Sequence, residues 1–388
     1  MPSARSLPSV SVIIPTFREA ENLPELIPTL ATALRSRGWD WEVIVVDDNS
    51  PDGTEEVLAD LQQKIPQVRW KIRKDERGLS SAVLAGLGMA RNEYVVVMDA
   101  DMSHPPESVP GLVERLMLEQ ADFVIGSRYI MGGRTEDWGF LRWVNSAGAT
   151  LLAKPLVGTV RDPMAGFFAM RRDTLEKAGT LNPIGYKIAL ELMVKCGARH
   201  VVEVPILFRN RKYGESKLTM KEQFRYLEHL SRLYDYVFPK GSPRVKFLVA
   251  GACGAAACLG TVLGMERLGA AFLPSMVAGL LAMTLVTLGF FARYVRAQRD
   301  FIVMKHPFAE FVYISVAEVA AGTTLALIAD PLGSTLLKVA AGLAGLLVVR
   351  YTLRKVFLHD LRGIRGARKQ AIGIAFEASP AAQQAASA

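Results

Sequence analysis

Tyr94-Val-Val-Val-Met98-Asp99-Ala100-Asp101-Met102-Ser103-His104 sets an apolar run of strand character against two carboxylates spaced by one residue. In an open α/β sheet, ligands gather at the carboxyl ends of the strands, so acids that close a strand face a cleft. Two aspartates at this spacing offer hard oxygens to a cation such as Mg²⁺ or Mn²⁺, which in turn holds phosphate oxygens. Solvated turns also produce Asp-x-Asp, so the pattern takes its meaning from the strands around it.

Those strands repeat the arrangement. Val10–Ile14 reads as a strand ending in Pro15-Thr16-Phe17-Arg18-Glu19, with an amphipathic helix following to about Arg37. Trp41–Val46 is a second strand, closed by Asp47-Asp48-Asn49-Ser50-Pro51-Asp52-Gly53-Thr54. Its turn formers place Ser50 or Asp52 to cap the next helix. Val68–Ile72 is a short third strand leading to Gly78 and a helix through Arg91, and Phe123–Gly126 ends in Ser127-Arg128-Tyr129. Alternating strands and helices with nearly continuous apolar strands predict a mostly parallel sheet covered on both faces. Glu19, Asp48 and the Asp99/Asp101 pair are thereby delivered to one edge. No Gly-x-Gly-x-x-Gly follows the first strand and no Walker A sequence occurs, which excludes the usual dinucleotide and NTPase phosphate sites. Phosphate falls instead to a metal and basic side chains. His104-Pro-Pro reads as the end of the acid loop and the start of a helix with proline in its first turn.

The C-terminal part is of different composition. Mean hydropathy is +0.21, high for a soluble enzyme of this length. The excess lies in Phe247–Met265, Leu268–Ala292, Phe308–Ala329 and Leu332–Val349, each near the ~20 residues that cross a bilayer as a helix. Arg293, Arg296, Arg299 and Lys305 follow the second stretch, and Arg350, Arg354, Lys355, Arg362, Arg365, Arg368 and Lys369 follow the fourth. The positive-inside rule then puts both termini in the cytoplasm of an integral membrane protein. The net charge of +8 reads as anchoring to anionic lipid, with no nucleic-acid partner. Met1–Pro8 lacks the apolar core of a signal peptide. Cys196, Cys253 and Cys258 form no Cys-x-x-Cys pair, and neither a disulfide framework nor a zinc site is implied. Thr219–Phe238 carries Phe224, Leu227, Leu230, Tyr234 and Val237 at helical spacing, the pattern of a helix lying on a membrane or packing on a soluble domain. Glu318 and Lys338, inside the third and fourth stretches, suit an interhelical ion pair or a functional role.

Pro15-Thr-Phe-Arg-Glu-Ala-Glu-Asn, Val46-Asp-Asp-Asn-Ser-Pro-Asp-Gly-Thr, Asp99-Ala-Asp, Gly126-Ser-Arg-Tyr and Asp162-Pro-Met-Ala-Gly-Phe-Phe together resemble the inverting glycosyltransferases of family 2. Gly185-Tyr-Lys187 and Arg211-Lys-Tyr-Gly-Glu-Ser-Lys217 narrow the resemblance to the dolichol-phosphate and polyprenyl-phosphate mannose synthase group, over about Val10–Leu218. The membrane half resembles the four-helix GtrA-like domain. The resemblance implies an α/β GT-A fold (Rossmann-like) at residues 1–218, an interfacial helix region at 219–243, a four-span domain at 244–358, and a basic then disordered tail at 359–388. It implies a GDP-mannose donor, a dolichyl or polyprenyl phosphate acceptor, and a prokaryotic plasma membrane as the site of work.

Carried over by position, Pro15, Phe17, Glu19, Val46, Asp48, Asp99, Ala100, Asp101, Ser103, Lys187, Arg211 and Lys217 would bind the donor nucleotide. Asp99 and Asp101 would take the cation. Ser103 stands where the family often has Gln, a weaker ligand in its place. Arg128, Arg142 and Ser146 would meet the acceptor phosphate, with Asp99, Asp101, Arg128, Arg211 and Lys217 as the catalytic set. For Arg128 a structural ion pair is the alternative to phosphate contact, and Arg142 lies in the aromatic stretch Trp138-Gly-Phe-Leu-Arg-Trp143. Such chemistry needs no general base, because a phosphate monoester with its second pKa near ~6 is already an anionic nucleophile. It needs positive charge to gather two anions and stabilise the departing diphosphate. UDP-glucose as donor, a processive polysaccharide synthase and a lipid-linked sugar flippase or scaffold are the rival readings.

Overall fold

The computed structural model describes residues 7–135, 140–178, 180–209, 220–239, 241–294, 307–329, 331 and 333–349. The chain divides into two compact units, Met1–Ser242 and Pro243–Ala388.

The first unit opens with β1 (Ser9–Thr16), α1 (Leu23–Arg35), β2 (Asp40–Asp47), α2 (Thr54–Lys64), β3 (Val68–Ile72), α3 (Leu79–Met89) and β4 (Tyr94–Val97). It continues through α4 (Val109–Leu118), β5 (Phe123–Ser127), β6 (Arg134–Thr135), α5 (Phe140–Val157), β7 (Phe168–Arg171), α6 (Ile188–Lys195), β8 (Val201–Pro205), β9 (Leu207–Phe208) and α7 (Met220–Val237). Seven strands form one sheet in the order β3-β2-β1-β4-β7-β5-β8. Every neighbour pair is parallel except those of β7, which runs antiparallel to both β4 and β5.

Side chains alternate across a strand, and here both faces are apolar. Val10, Val12 and Ile14 of β1 pack with Leu23, Leu26, Ile27, Leu30 and Leu34 of α1. Ile13, with Ile44 and Val46 of β2, packs on the other face with Ala82, Val83 and Leu87 of α3. A Cβ on Gly86 would collide with Ile13, so glycine lets α3 settle directly on β1. The parallel register pairs Thr16 with Asp47 and Ile13 with Val97, which brings the ends of β1, β2 and β4 to one edge.

In the second unit, the apolar stretches form α8 (Ser242–Arg267), α9 (Phe272–Tyr294), α10 (Pro307–Ile328) and α11 (Thr335–Val349). Among the described residues, two helices, Arg244–Arg267 and Phe272–Phe290, are long and apolar enough to cross a membrane. Ser315–Ile328 and Thr335–Val349 are shorter apolar helices. Glycines set the packing: a Cβ on Gly322 would lie 3.0 Å from the Gly342 carbonyl, and one on Gly342 2.9 Å from that of Gly322. Small residues at such crossings let helix backbones approach in the way lipid-embedded helices do. Glu318 is buried, and the Lys338 ammonium lies 4.9 Å from the centroid of the Phe272 ring.

Candidate active site

Each of the three strand ends turns through a non-glycine residue in the left-handed region: Arg18 (φ 61°) after β1, Asn49 (φ 57°) after β2 and Met102 (φ 61°) after β4. Such residues cost about 1–3 kcal/mol each and persist where surrounding bonds over-determine them. Those bonds are present. The Arg18 N–H donates to Ser50 Oγ at 2.8 Å and the Ala20 N–H to Asp52 Oδ2 at 3.2 Å. Ser50 in turn donates its N–H and hydroxyl to Asp47, at 2.8 and 2.6 Å. Asp52 also accepts the Thr54 N–H and hydroxyl at the start of α2, at 3.3 and 2.6 Å. The β1 and β2 turns are therefore one bonded assembly.

At the end of β4, the Asp99 side chain is 30% exposed while Asp101 is buried. Ser103 is fully buried, and its hydroxyl and N–H both donate to Asp101 Oδ1, at 2.5 and 3.1 Å. Its hydroxyl proton is thus committed to orienting Asp101, while the oxygen lone pairs stay compatible with the cation ligation expected for it. His104 is buried against Phe167 and Phe208, with ring centroids 5.2 and 5.4 Å away. Its Nδ1 accepts the Asp99 N–H at 3.1 Å, which leaves the ring proton on Nε2, and burial holds its pKa below the ordinary histidine value. Neutral and used as an acceptor, His104 fixes the Asp99 backbone. Gly166 keeps space on the far side, since a Cβ there would lie 3.0 Å from Asp99 Oδ2 and 3.4 Å from Oδ1. The hard carboxylate oxygens and this kept space fit a divalent cation. Among the described residues no group of three or more His, Cys, Asp and Glu side chains is arranged to hold a metal, so the rest of its shell would be phosphate and water.

Along the same edge, Pro15 and Val46 are buried at the ends of β1 and β2, and Ala100 is buried between the acids. Phe17 lies under the guanidinium groups of Arg18 and Arg77, 5.3 and 5.6 Å from its centroid. Glu19 accepts the Asn22 amide at 2.5 Å. Asp48 is buried, with Oδ1 held by Nε of Arg73 at 2.8 Å and by its Nη2 as well. Asp48 Oδ2 accepts the Gly78 N–H at 2.7 Å. Arg73 also reaches the Gly78 carbonyl at 3.0 Å and Ser81 Oγ at 2.9 Å.

Arg128 follows β5, and the structural ion pair is what the fold contains. Asp162, fully buried, accepts from Arg128 Nε at 2.8 Å, Nη2 at 2.7 Å and the Arg128 backbone N–H at 3.0 Å. Burial opposes the charge, but the Asp162 bonds outweigh it and raise the Arg128 pKa. Glu203 on β8 anchors the turn beneath by accepting the N–H groups of Arg161 and Asp162, at 2.9 and 3.0 Å. The Arg128 guanidinium also stacks 5.2 Å from the centroid of Phe208, the ring that touches His104.

Lys187 is half-buried at the N-cap of α6, its Nζ 3.4 Å from the Met164 carbonyl and 4.4 Å from the centroid of the Tyr186 ring. Burial and the neighbouring Arg128 bring its pKa down to about 7, against the pull of Asp162 and Asp99. Ser146 shares a 2.6 Å hydrogen bond with the Tyr129 hydroxyl. Asp99, Asp101, Arg128 and Lys187 are thus brought into one electrostatic neighbourhood. Arg211, Lys217 and the side chain of Arg142 lie outside the described residues.

Sequence reading missed Arg73, Glu203 and the orienting function of Asp162. The Asp162 motif was itself a signal; Arg73, one of four basic residues from Arg69 to Lys74, and a single acid in β8 were none.

The sequence pattern of glycosyl transferase family 2 matches residues 11–179. A dolichol-phosphate mannosyltransferase of Pyrococcus furiosus is 45% identical over 248 residues, covering 63% of this chain and 69% of that protein. One from Mycosarcoma maydis is 44% identical over 244 residues, covering 61% and 82%. Among solved structures, mannosyl-3-phosphoglycerate synthase from Rubrobacter xylanophilus has a TM-score of 0.46 at 19% identity, covering 60% of this chain and 74% of that one. On the strength of the curated relatives, this chain belongs to glycosyl transferase family 2 and is a glycosyltransferase of the dolichol-phosphate mannosyltransferase group.

Proposed function

We propose that the protein transfers mannose from GDP-mannose to a dolichyl or other polyprenyl phosphate, with inversion, giving a β-linked mannosyl phospholipid. The observation that carries this reading is the gathering of Asp99, Asp101, Arg128 and Lys187 into one electrostatic neighbourhood, in a chain 45% identical over 248 residues to a dolichol-phosphate mannosyltransferase. The work would be done at the cytoplasmic face of a prokaryotic plasma membrane, with α8 to α11 as four spans and both termini cytoplasmic.

In this reading Pro15, Phe17, Glu19, Val46 and Asp48 receive the nucleoside. Asp99 and Asp101 would hold Mg²⁺ or Mn²⁺, which would supply neutralising charge to the diphosphate. Lys187, with Arg211 and Lys217, draws in the diphosphate oxygens. Arg128, held by Asp162, aims at the acceptor phosphate beside Ser146 and Arg142. An oxygen of the lipid phosphate attacks the anomeric carbon, the bond from that carbon to the diphosphate breaks, and GDP departs with the electron pair. Positioned positive charge stabilises the leaving group, and the side chains need accept no proton from the nucleophile.

The test is the purified full chain with a polyprenyl phosphate, a panel of nucleotide sugars and a chelator. Mannosyl lipid formed from GDP-mannose and abolished by chelation is the expected result. Turnover of UDP-glucose with none of GDP-mannose would overturn the donor, and full activity in chelator would overturn the cation.

A further inference from the structure

The nucleoside end of the site and the turn bearing Lys187 are far apart in sequence yet joined by one side chain. Ser80, in the first turn of α3 and almost fully buried, donates its hydroxyl to the Gly185 carbonyl at 2.7 Å, across 105 residues. On one side, α3 begins at Gly78, whose φ of +138° and ψ of 135° suit glycine alone. Gly78 is pinned by Asp48 through its N–H and by Arg73 through its carbonyl, at 2.7 and 3.0 Å. The start of α3 therefore moves with Asp48. On the other side, Gly185 has φ +73°, and a Cβ there would lie 3.2 Å from Glu222 Oε2 of α7. Two residues later Lys187 begins α6, facing the charges of Arg128, Asp162 and Asp99. Its own Nζ bond, 3.4 Å to the Met164 carbonyl, is too long to hold the ammonium in place. The placement of that ammonium falls to the turn, and the turn is tied to α3 by Ser80.

We propose that Ser80 is a positioning residue that couples the Asp48 end of the donor site to Lys187 by holding the Gly185–Lys187 turn. It touches no reacting atom. A nucleoside seated at Asp48 steadies Gly78 and the start of α3, and through Ser80 sets the ammonium where the diphosphate will lie. The proposal rests on the reading of Lys187 as a diphosphate ligand.

A double-mutant cycle in the full chain tests it, with Ser80→Ala, Lys187→Ala and the pair. The readouts are affinity for GDP, and for UDP in parallel, by calorimetry, and kcat and KM for transfer. One side-chain hydrogen bond corresponds to roughly a three- to tenfold effect on binding. Ser80→Ala should weaken GDP by that factor, with a fall of a few degrees in melting temperature as the Gly185 carbonyl loses its donor, and should have no further effect on GDP affinity once Lys187 is alanine. Equal losses from Ser80→Ala in both backgrounds, or no loss in the first, would overturn the coupling. If the wild type binds nucleotide but transfers no mannose, the functional reading fails while the binding cycle still decides the role of Ser80.

Discussion

Replacing Asp162 by Asn tests the electrostatic support of the site most directly. Asp162 is fully buried and the Arg128 side chain is 10% exposed, so neither charge has water to fall back on. The carboxylate accepts three hydrogen bonds from one residue, two through Oδ2 and one through Oδ1. An amide of the same shape can accept at one atom only and turns an NH₂ group toward a cation. Removing one partner of a buried pair while the other stays charged costs ~3–5 kcal/mol. For a unit of this size each kcal/mol moves the midpoint by about 2–4 °C, so a fall of roughly 6–20 °C is expected. Intrinsic tryptophan fluorescence of the full chain in detergent–lipid micelles would follow it. Asp162→Leu combined with Arg128→Met removes both charges and should recover most of the stability while transfer stays abolished. A midpoint within about 2 °C of wild type for Asp162→Asn would refute the reasoning, because the pair could not then be buried and matched as described.

Ser103→Ala removes the hydroxyl bond to Asp101 and leaves the backbone N–H bond, so transfer should fall about fivefold in steady-state assays with little change in melting temperature. An undiminished rate would show that Asp101 needs no support from the serine. A lysine with its pKa at about 7 is charged below that pH and neutral above it, so GDP affinity should weaken as pH rises through 7. Above pH 7 binding should draw in a proton, seen as a calorimetric heat that changes with the buffer's ionisation enthalpy; Lys187→Met should abolish both effects. Gly166→Ala places a methyl 3.0 Å from Asp99 Oδ2, so the carboxylate must give way by a few tenths of an ångström. Since displacement of about 1 Å can cost ~10²-fold, a roughly tenfold loss of transfer without loss of folding is expected, and an unchanged rate would mean Asp99 tolerates displacement.

The strands legible in the sequence were those with at least one continuous apolar face, both faces in β1, β2, β4 and β5 and the Val68, Trp70, Ile72 face in β3, and with turn chemistry at their ends. Val68–Ile72 coincides with β3, and the predicted strands at Val10, Trp41, Tyr94 and Phe123 differ from β1, β2, β4 and β5 by a residue or two at their ends. β7 escaped because Phe168–Arg171 follows directly on the Asp162 motif and is only four residues long. Nothing local says that such a strand runs antiparallel; its direction is set by insertion between β4 and β5. β8 is an edge strand, only half-buried, and lacks the continuous apolar signature. The same limit applies within the site. Carboxylates at strand ends announce themselves, but their partners do not: Arg73 is 25 residues from Asp48 and Asp162 is 34 from Arg128. Residue type suggested that Arg128 would meet a phosphate; only the fold reveals that a carboxylate already occupies one edge of it.

That occupation changes how the site must gather its substrates. Around the acid pair Asp99, Asp101 and Asp162 stand with Arg128 and Lys187, and Arg209 donates its backbone N–H to the Ser103 carbonyl at 3.1 Å. Asp162 offsets Arg128 at hydrogen-bond distance, and Lys187 carries only part of a charge at neutral pH. Carboxylates so placed oppose the approach of a diphosphate or a lipid phosphate. In the proposed reaction the attraction would come from a cation on Asp99 and Asp101 and from the basic segment that includes Arg209, Arg211, Lys212 and Lys217. An arriving diphosphate would raise the protonation of Lys187, so it couples favourably to both cation and proton, whereas a cation on Asp99 would itself oppose that protonation. The carboxylates would thereby keep the site poor in attraction for lone anions until a cation is present. GDP should then bind more tightly with Mg²⁺ or Mn²⁺ than in chelator, and equal affinity in both would refute this role of the acids.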